Sequence, residues 1–275
     1  MRDESVERSG VRPVAERVRT VLARGAGGTV EAGMLCRPLR SARVRDDGVV
    51  VLVVDVGGMS RDAVDAPGVT TPGGSATVEI VDTVCTGRCR GRSVRPSFAI
   101  DGRPAGGGVG CDDECAVTRG VVRISGIVTS SSSARRRRLV AADGAEAGPD
   151  GDVGALRLSE LRPLEVTYLS DDGVYVVPRG ELVAAAVDPI GVDEQVWLRR
   201  LGVDGGTLAV RLALGAGRQV AGADPWIVGL DRHGIDVAIA APEAIFRERL
   251  RIPFSQVCAS VDDVERELAA LLDGN

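Results

Sequence analysis

The alternation of apolar and polar positions is clearest near the end of the chain. Ile227, Val228 and Leu230 lead into a turn from Asp231 to Gly234, and Ile235, Val237 and Ile239 then alternate with Asp236 and Ala238. Period two on both sides of a short Gly-ended turn predicts a β-hairpin. Leu250, Ile252 and Phe254 alternate with Arg249, Arg251 and Pro253, which predicts a third strand. It belongs at a sheet edge, because Pro253 has no N–H to give to a ladder. Ser260 opens a helix whose apolar stripe is Val264, Leu268, Leu271 and Leu272, at helical spacing.

Upstream, residues 1–11 read as a disordered tail. Pro13 starts a helix with the stripe Val14, Val18, Val21 and Leu22, stopped by Gly25. Strands follow at Gly28 to Ala32, Leu39 to Val44 and Val49 to Val56, the last two joined by the turn Asp46-Asp47-Gly48. The near-continuous apolar run of the last strand predicts burial on both faces. Further strands are predicted at Ala76 to Val84, Arg119 to Thr129 and Leu164 to Leu169. Val174 to Val177 forms a hairpin with the last of these across Asp171-Asp172-Gly173. Two helices are predicted beyond Asp188-Pro189: Gly191 to Leu201, with Val192, Val196 and Leu201 inward, and Thr207 to Leu214. The fold class is therefore α+β. An antiparallel barrel domain over 12–187 precedes a smaller module of helices, a three-stranded antiparallel sheet and a terminal helix over 188–275.

Composition narrows the function. The 275 residues are 44% hydrophobic and 27% charged, as in ordinary globular proteins. The formal net charge of −5 argues against nucleic-acid binding by general electrostatics. No apolar run reaches membrane-spanning length, and the charged start Met-Arg-Asp-Glu has no apolar signal region. A cytoplasmic protein is expected. All 34 basic residues are arginine, so a Lys Schiff base or a phosphate-loop Lys is excluded. The single histidine, His233, excludes a multi-His metal site within one chain.

Cys85, Cys89, Cys111 and Cys115 form two C-x3-C pairs separated by 21 residues. Thiolates so spaced can converge on a zinc ion and staple the loop 85–115. The alternatives are reduced, unliganded thiols, or disulfides with a redox role. Cys36 and Cys258 read as small core residues. Arg135 to Arg138 read as a solvated helix face rather than a phosphate or RNA site.

The turn Gly-Leu-Asp-Arg-His-Gly-Ile-Asp at 229–236 and the ending Arg-Ile-Pro-Phe…Val-Asp-Asp-Val-Glu-Arg-Glu-Leu resemble a domain of unknown function. That domain ends many bacterial split-barrel proteins, behind a barrel related to pyridoxamine-phosphate oxidase. Relatives include haem-utilisation proteins of the split-barrel haem oxygenase type and the chloroplast glutamyl-tRNA-reductase-binding protein. The resemblance covers about 190–275. It implies a homodimer whose barrels meet at a ligand cleft, binding FMN, haem or another planar or phosphate-bearing ligand, or else a protein partner. Split barrels hold flavin phosphate with Arg, Ser and Thr groups. Arg43, Arg45, Arg123 and Ser125 lie on predicted barrel strands and are the candidates here.

His233 is the candidate haem ligand, set against its reading as an exposed turn residue. The haem oxygenases of this type use a C-terminal histidine, whereas this chain ends Leu-Leu-Asp-Gly-Asn. Two functions follow: a flavin- or tetrapyrrole-related binding protein, or a non-catalytic regulatory or interaction module with a metal-stapled cysteine loop. No catalytic residue is identified.

Overall fold

A computed structural model describes residues 12–25, 27–33, 35–55, 73–86, 116–129, 156–202, 206–240 and 248–273. Helix α1 (Val14–Ala23) leads into β1 (Gly28–Ala32), β2 (Leu35–Val44), β3 (Val50–Asp55), β4 (Ser75–Cys85), β5 (Ala116–Thr129), β6 (Leu156–Ser170) and β7 (Gly173–Val176). Then come the short helices α2 (Arg179–Ala184) and α3 (Pro189–Val192), helices α4 (Glu194–Gly202) and α5 (Thr207–Gly215), strands β8 (Asp224–Asp231), β9 (Gly234–Ala240) and β10 (Glu248–Pro253), and the terminal helix α6 (Val261–Asp273).

The seven-stranded sheet has the order β3-β2-β1-β4-β5-β6-β7, and a further β3–β6 pairing closes it into an antiparallel barrel with β7 outside the closure. Strand β6 makes this possible by its length. Its first half pairs with β3, from Asp55↔Leu156 to Val50↔Leu161, and its last residues pair with β7, from Thr167↔Val176 to Ser170↔Gly173. Alternate residues point inward and fill the interior, among them Leu52, Ile80, Ile124, Leu161 and Tyr168. Helix α1 adds Val18, Val21 and Leu22 to the same core. The apolar run of β3 is buried at Val50, Val51, Leu52 and Val54. The turn between β2 and β3 needs Gly48, whose φ of +80° is left-handed.

The second sheet has the order β10-β9-β8, so Pro253 does stand on an edge strand. The alternation along β9 predicts one solvated face, but Asp236 and Ala238 are buried. Ile227, Leu230, Ile235 and Val237 pack with Trp197, Leu198, Leu212, Val264 and Leu268 of the helices. Trp226, Val228 and Ala238 pack separately, against Val117 of β5. Val117 of the barrel strand β5 helps to cover this second face.

Helix α4 also turns a different face inward than predicted: Glu194, Trp197 and Leu198 are buried, while Val192 and Val196 are half-buried. Cys258 is buried, but Cys36 is exposed on β2, because its alternation places it on the outer face.

Helix α6 begins with a reciprocal cap. Ser260 Oγ lies 2.9 Å from an Asp263 carboxylate oxygen, and the Asp263 N–H donates to Ser260 Oγ at 3.3 Å. Val264 and Leu268 are buried and Leu271 and Leu272 half-buried against the sheet. Leu268→Ala is expected to cost about 2–5 kcal/mol, read from the urea midpoint at unchanged slope. A cost near zero would mean that the helix is undocked in solution.

Candidate functional site

On the outer face of the barrel, ladder register lines up Val81, Val121, Leu169 and Val174 across β4, β5, β6 and β7. Directly paired residues share a face, so these side chains form one row. Leu169, Val81 and Val174 are exposed, Val174 at 67%. The neighbouring row, Glu79, Arg123, Thr167 and Val176, adds Val176 at 66% exposure. The next row pairs Thr77 with Ser125 through a hydroxyl contact of 3.1 Å. Leu164, 74% exposed, projects at the β6 irregularity opposite Ser125 and Gly126. Exposed apolar side chains lined up across adjacent strands make this face a candidate binding surface.

Arg123 and Ser125 therefore stand together, two residues apart on the outer face of β5. Arg123 Nε lies 3.3 Å from a Glu79 carboxylate oxygen, with both side chains exposed. Arg43 and Arg45 are elsewhere. Arg45 pairs with Asp47 and, at 3.3 Å, with Glu160, and Glu160 stands opposite Thr129 at the far end of β5. Six residues of strand, about 20 Å, separate that end from Arg123. The four candidates thus divide into an Arg123–Ser125 pair and a separate Arg43–Arg45 group, which is exposed or half-exposed on β2 and its following turn.

Cys89, Cys111, Cys115 and the arginine run 135–138 lie outside the described residues. Cys85 is buried at the end of β4 and is disulfide-bonded. A sulfur so bonded is not a thiolate ligand. Among the described residues no group of His, Cys, Asp and Glu is arranged to hold a metal ion. Zinc gains no support.

His233 occupies the β8–β9 turn, but that turn is not a free tip. Its side chain is 12% exposed, with Nε2 3.1 Å from a Glu16 carboxylate oxygen on α1. Arg232 also pairs with Glu16, and the Arg232 N–H donates to Asp188 at 3.2 Å. Burial alone would raise the Glu16 carboxyl; its bonds to His233 and Arg232 hold it below its ordinary value.

This turn is one side of a buried ionic junction. Asp82 on β4 accepts from Arg119 at 2.8 Å, Arg24 at 3.1 Å, Arg17 at 3.3 Å and the Tyr168 hydroxyl at 3.1 Å. Glu194 on α4 accepts from Arg119 at 2.6 Å, from the Leu230 N–H at 2.7 Å, and from Arg24. Asp188 faces Arg12 at 3.3 Å and accepts from the Ile190 N–H at 2.9 Å. Burial would raise the Asp82 carboxyl, but the guanidiniums of Arg119, Arg24 and Arg17 hold it far below the usual carboxylate range. Burial and the Asp82 charge push the Tyr168 phenol upward. Each carboxylate is matched by guanidiniums from another element, so the junction ties α1, β4, β5, α4 and the β8–β9 turn together. The junction reads as structural.

No protein-family model matches the chain, and no curated protein matches it. Among solved structures, the fold is similar to that of a haem-binding protein from Mycobacterium smegmatis. The TM-score is 0.54 and the identity 17%, over 96% of this chain and 98% of that chain. The likeness is one of fold. A second solved chain aligns over 62% of this one at a TM-score of 0.34, too low for any argument. His233 Nε2 is engaged by Glu16, and the residue sits at the junction rather than on the exposed barrel face. No helix among the described residues is long and apolar enough to cross a membrane.

Proposed function

We propose that this protein is a ligand-binding protein of the split-barrel, haem-utilisation-like kind. In this reading, barrel domains over 12–187 pair as a homodimer across the outer face of β4 to β7 and take a planar acidic ligand of the tetrapyrrole class there. The module over 188–275 braces the barrel. The observation that carries the proposal is the exposed apolar strip of Val81, Leu169, Val174 and Val176, beside Arg123 and Ser125. An apolar surface supplies area for a flat macrocycle, and a guanidinium at its border supplies a partner for an acidic side group. The similarity to a haem-binding structure points the same way. FMN is the lesser candidate, since Arg43 and Arg45 stand apart from Arg123 and Ser125. No iron–histidine bond is part of the proposal.

Haem titration followed by absorbance tests it, together with molar mass by light scattering. The expected result is a dimer and a saturable, broad Soret change that is the same in His233→Ala and lost in Leu169→Asp. A sharp Soret shift that disappears in His233→Ala would overturn the proposal and make His233 the haem ligand. A dimer without any Soret change would overturn the ligand and leave a regulatory or interaction module ahead.

A further inference from the structure

Helices α4, α5 and α6 line an open cleft, away from the barrel face. Its volume is about 740 Å3, and its walls include Trp197, Leu201, Leu208, Leu268 and Leu272. That size lies in the range of small-molecule sites. Arg200, Arg211, Thr207 and Glu265 are the polar members of the lining. Arg200 lies over the Trp197 ring, 5.8 Å from its centroid. Arg211 donates one N–H to the Leu272 carbonyl at 3.0 Å, which fixes the guanidinium beside the cleft and leaves its other N–H groups available. Neither guanidinium has a carboxylate partner among the described residues. Thr207 and Arg211 stand one turn apart on α5. The amide N–H groups that open α5 have no side-chain cap from Gly206, and unsatisfied N–H groups there favour negative charge. Glu265, the one acidic lining residue, is seven residues from Leu272 along α6, about 10 Å, so the Arg211 end is the basic end.

We propose that this cleft binds a single-chain amphiphile with an anionic head, the acyl chain lying along Trp197, Leu208 and Leu268 and the head held by Arg211 and Arg200. An aliphatic lining from three helices matches a chain that bends. Guanidinium groups match a carboxylate or a phosphate head, to which they donate paired N–H bonds. The chain need not be planar, which sets this ligand apart from the one proposed for the barrel face.

Isothermal titration of the full-length protein with decanoate, decyl phosphate and decanol tests the assignment. The first two are expected to bind saturably at one site per chain, and their ratio identifies the preferred head. Decanol is expected to bind at least tenfold more weakly. Arg211→Gln and Arg200→Gln should each weaken the anions at least tenfold with the thermal midpoint held, and Leu208→Asp should abolish binding. Leu169→Asp, on the barrel face, should retain it. Equal binding of decanol, anion binding unchanged in both arginine variants, loss of binding in Leu169→Asp, or no binding of any probe would each overturn the proposal.

Discussion

Arg119→Met is expected to destabilise the protein by about 3–5 kcal/mol, the cost of breaking a buried ion pair by removing one partner. Arg119 is 4% exposed and bridges Asp82 on the barrel to Glu194 on α4. Methionine keeps much of the volume but leaves both carboxylates facing one guanidinium fewer in a site that water does not reach. Arg24 still touches both, so the loss should stop short of unfolding. The measurement is the urea midpoint at neutral pH. Adding Asp82→Leu and Glu194→Leu should not recover the loss, because it strands the guanidiniums of Arg24 and Arg17 that pair with those carboxylates. A single-variant cost under about 1 kcal/mol, the range of exposed pairs, would show that water enters the junction.

Stability is expected to fall by about 2 kcal/mol between pH 4 and pH 2 through Asp236 alone. Burial would raise that carboxyl, but Arg251 and Arg249 lower it to about 2, against about 3.9 in the unfolded chain. A carboxyl depressed in the folded state contributes stability that is fully present above its unfolded value. That contribution is lost as pH falls through the folded value. Asp82 is depressed in the same direction, so it adds to the acid loss starting from the same upper limit. Asp236→Asn should be less stable at pH 7 and should flatten the pH 4 to pH 2 limb. A variant with an unchanged acid limb would remove Asp236 from the account. Gly229 belongs to the same device: a Cβ there would collide with the Asp236 carboxylate, so β8 carries glycine opposite the buried acid.

How much of this was legible beforehand differs from element to element. Helix α1, the β2–β3 hairpin, the β6–β7 turn and the terminal helix follow from stripe spacing, turn glycines and caps, all of which act within a few residues. The burial of Asp236 and Ala238 did not follow, because their alternation with Ile235 and Val237 is the same whether solvent or a second layer faces them. Glu194 was missed for a similar reason. It begins a helix, where an acidic residue is ordinarily favoured by the helix dipole, and nothing local marks it as the acceptor for Arg119, 75 residues away.

His233 illustrates the limit at a single residue. Its Asp-Arg-His-Gly setting identifies a hairpin turn, and turn tips are ordinarily solvated. Only the docking of that turn on Glu16, 217 residues away, makes it an anchor and engages its imidazole. The apolar strip of Val81, Leu169 and Val174 is the converse case. Each residue belongs to a strand that looks half-buried in sequence, and barrel closure decides which face is outside.

The sequence by itself determined the order of the longer elements but not the short helix α2, together with the turns, the α+β class and the absence of lysine chemistry, because backbone preference and side-chain period are local properties. The tertiary structure alone decided which arginines meet which carboxylates, that Arg123 and Ser125 separate from Arg43 and Arg45, and where apolar surface remains uncovered. Those outcomes depend on ladder register and on the docking of elements far apart in the chain, and a charged or apolar side chain carries no local mark of the partner it will find.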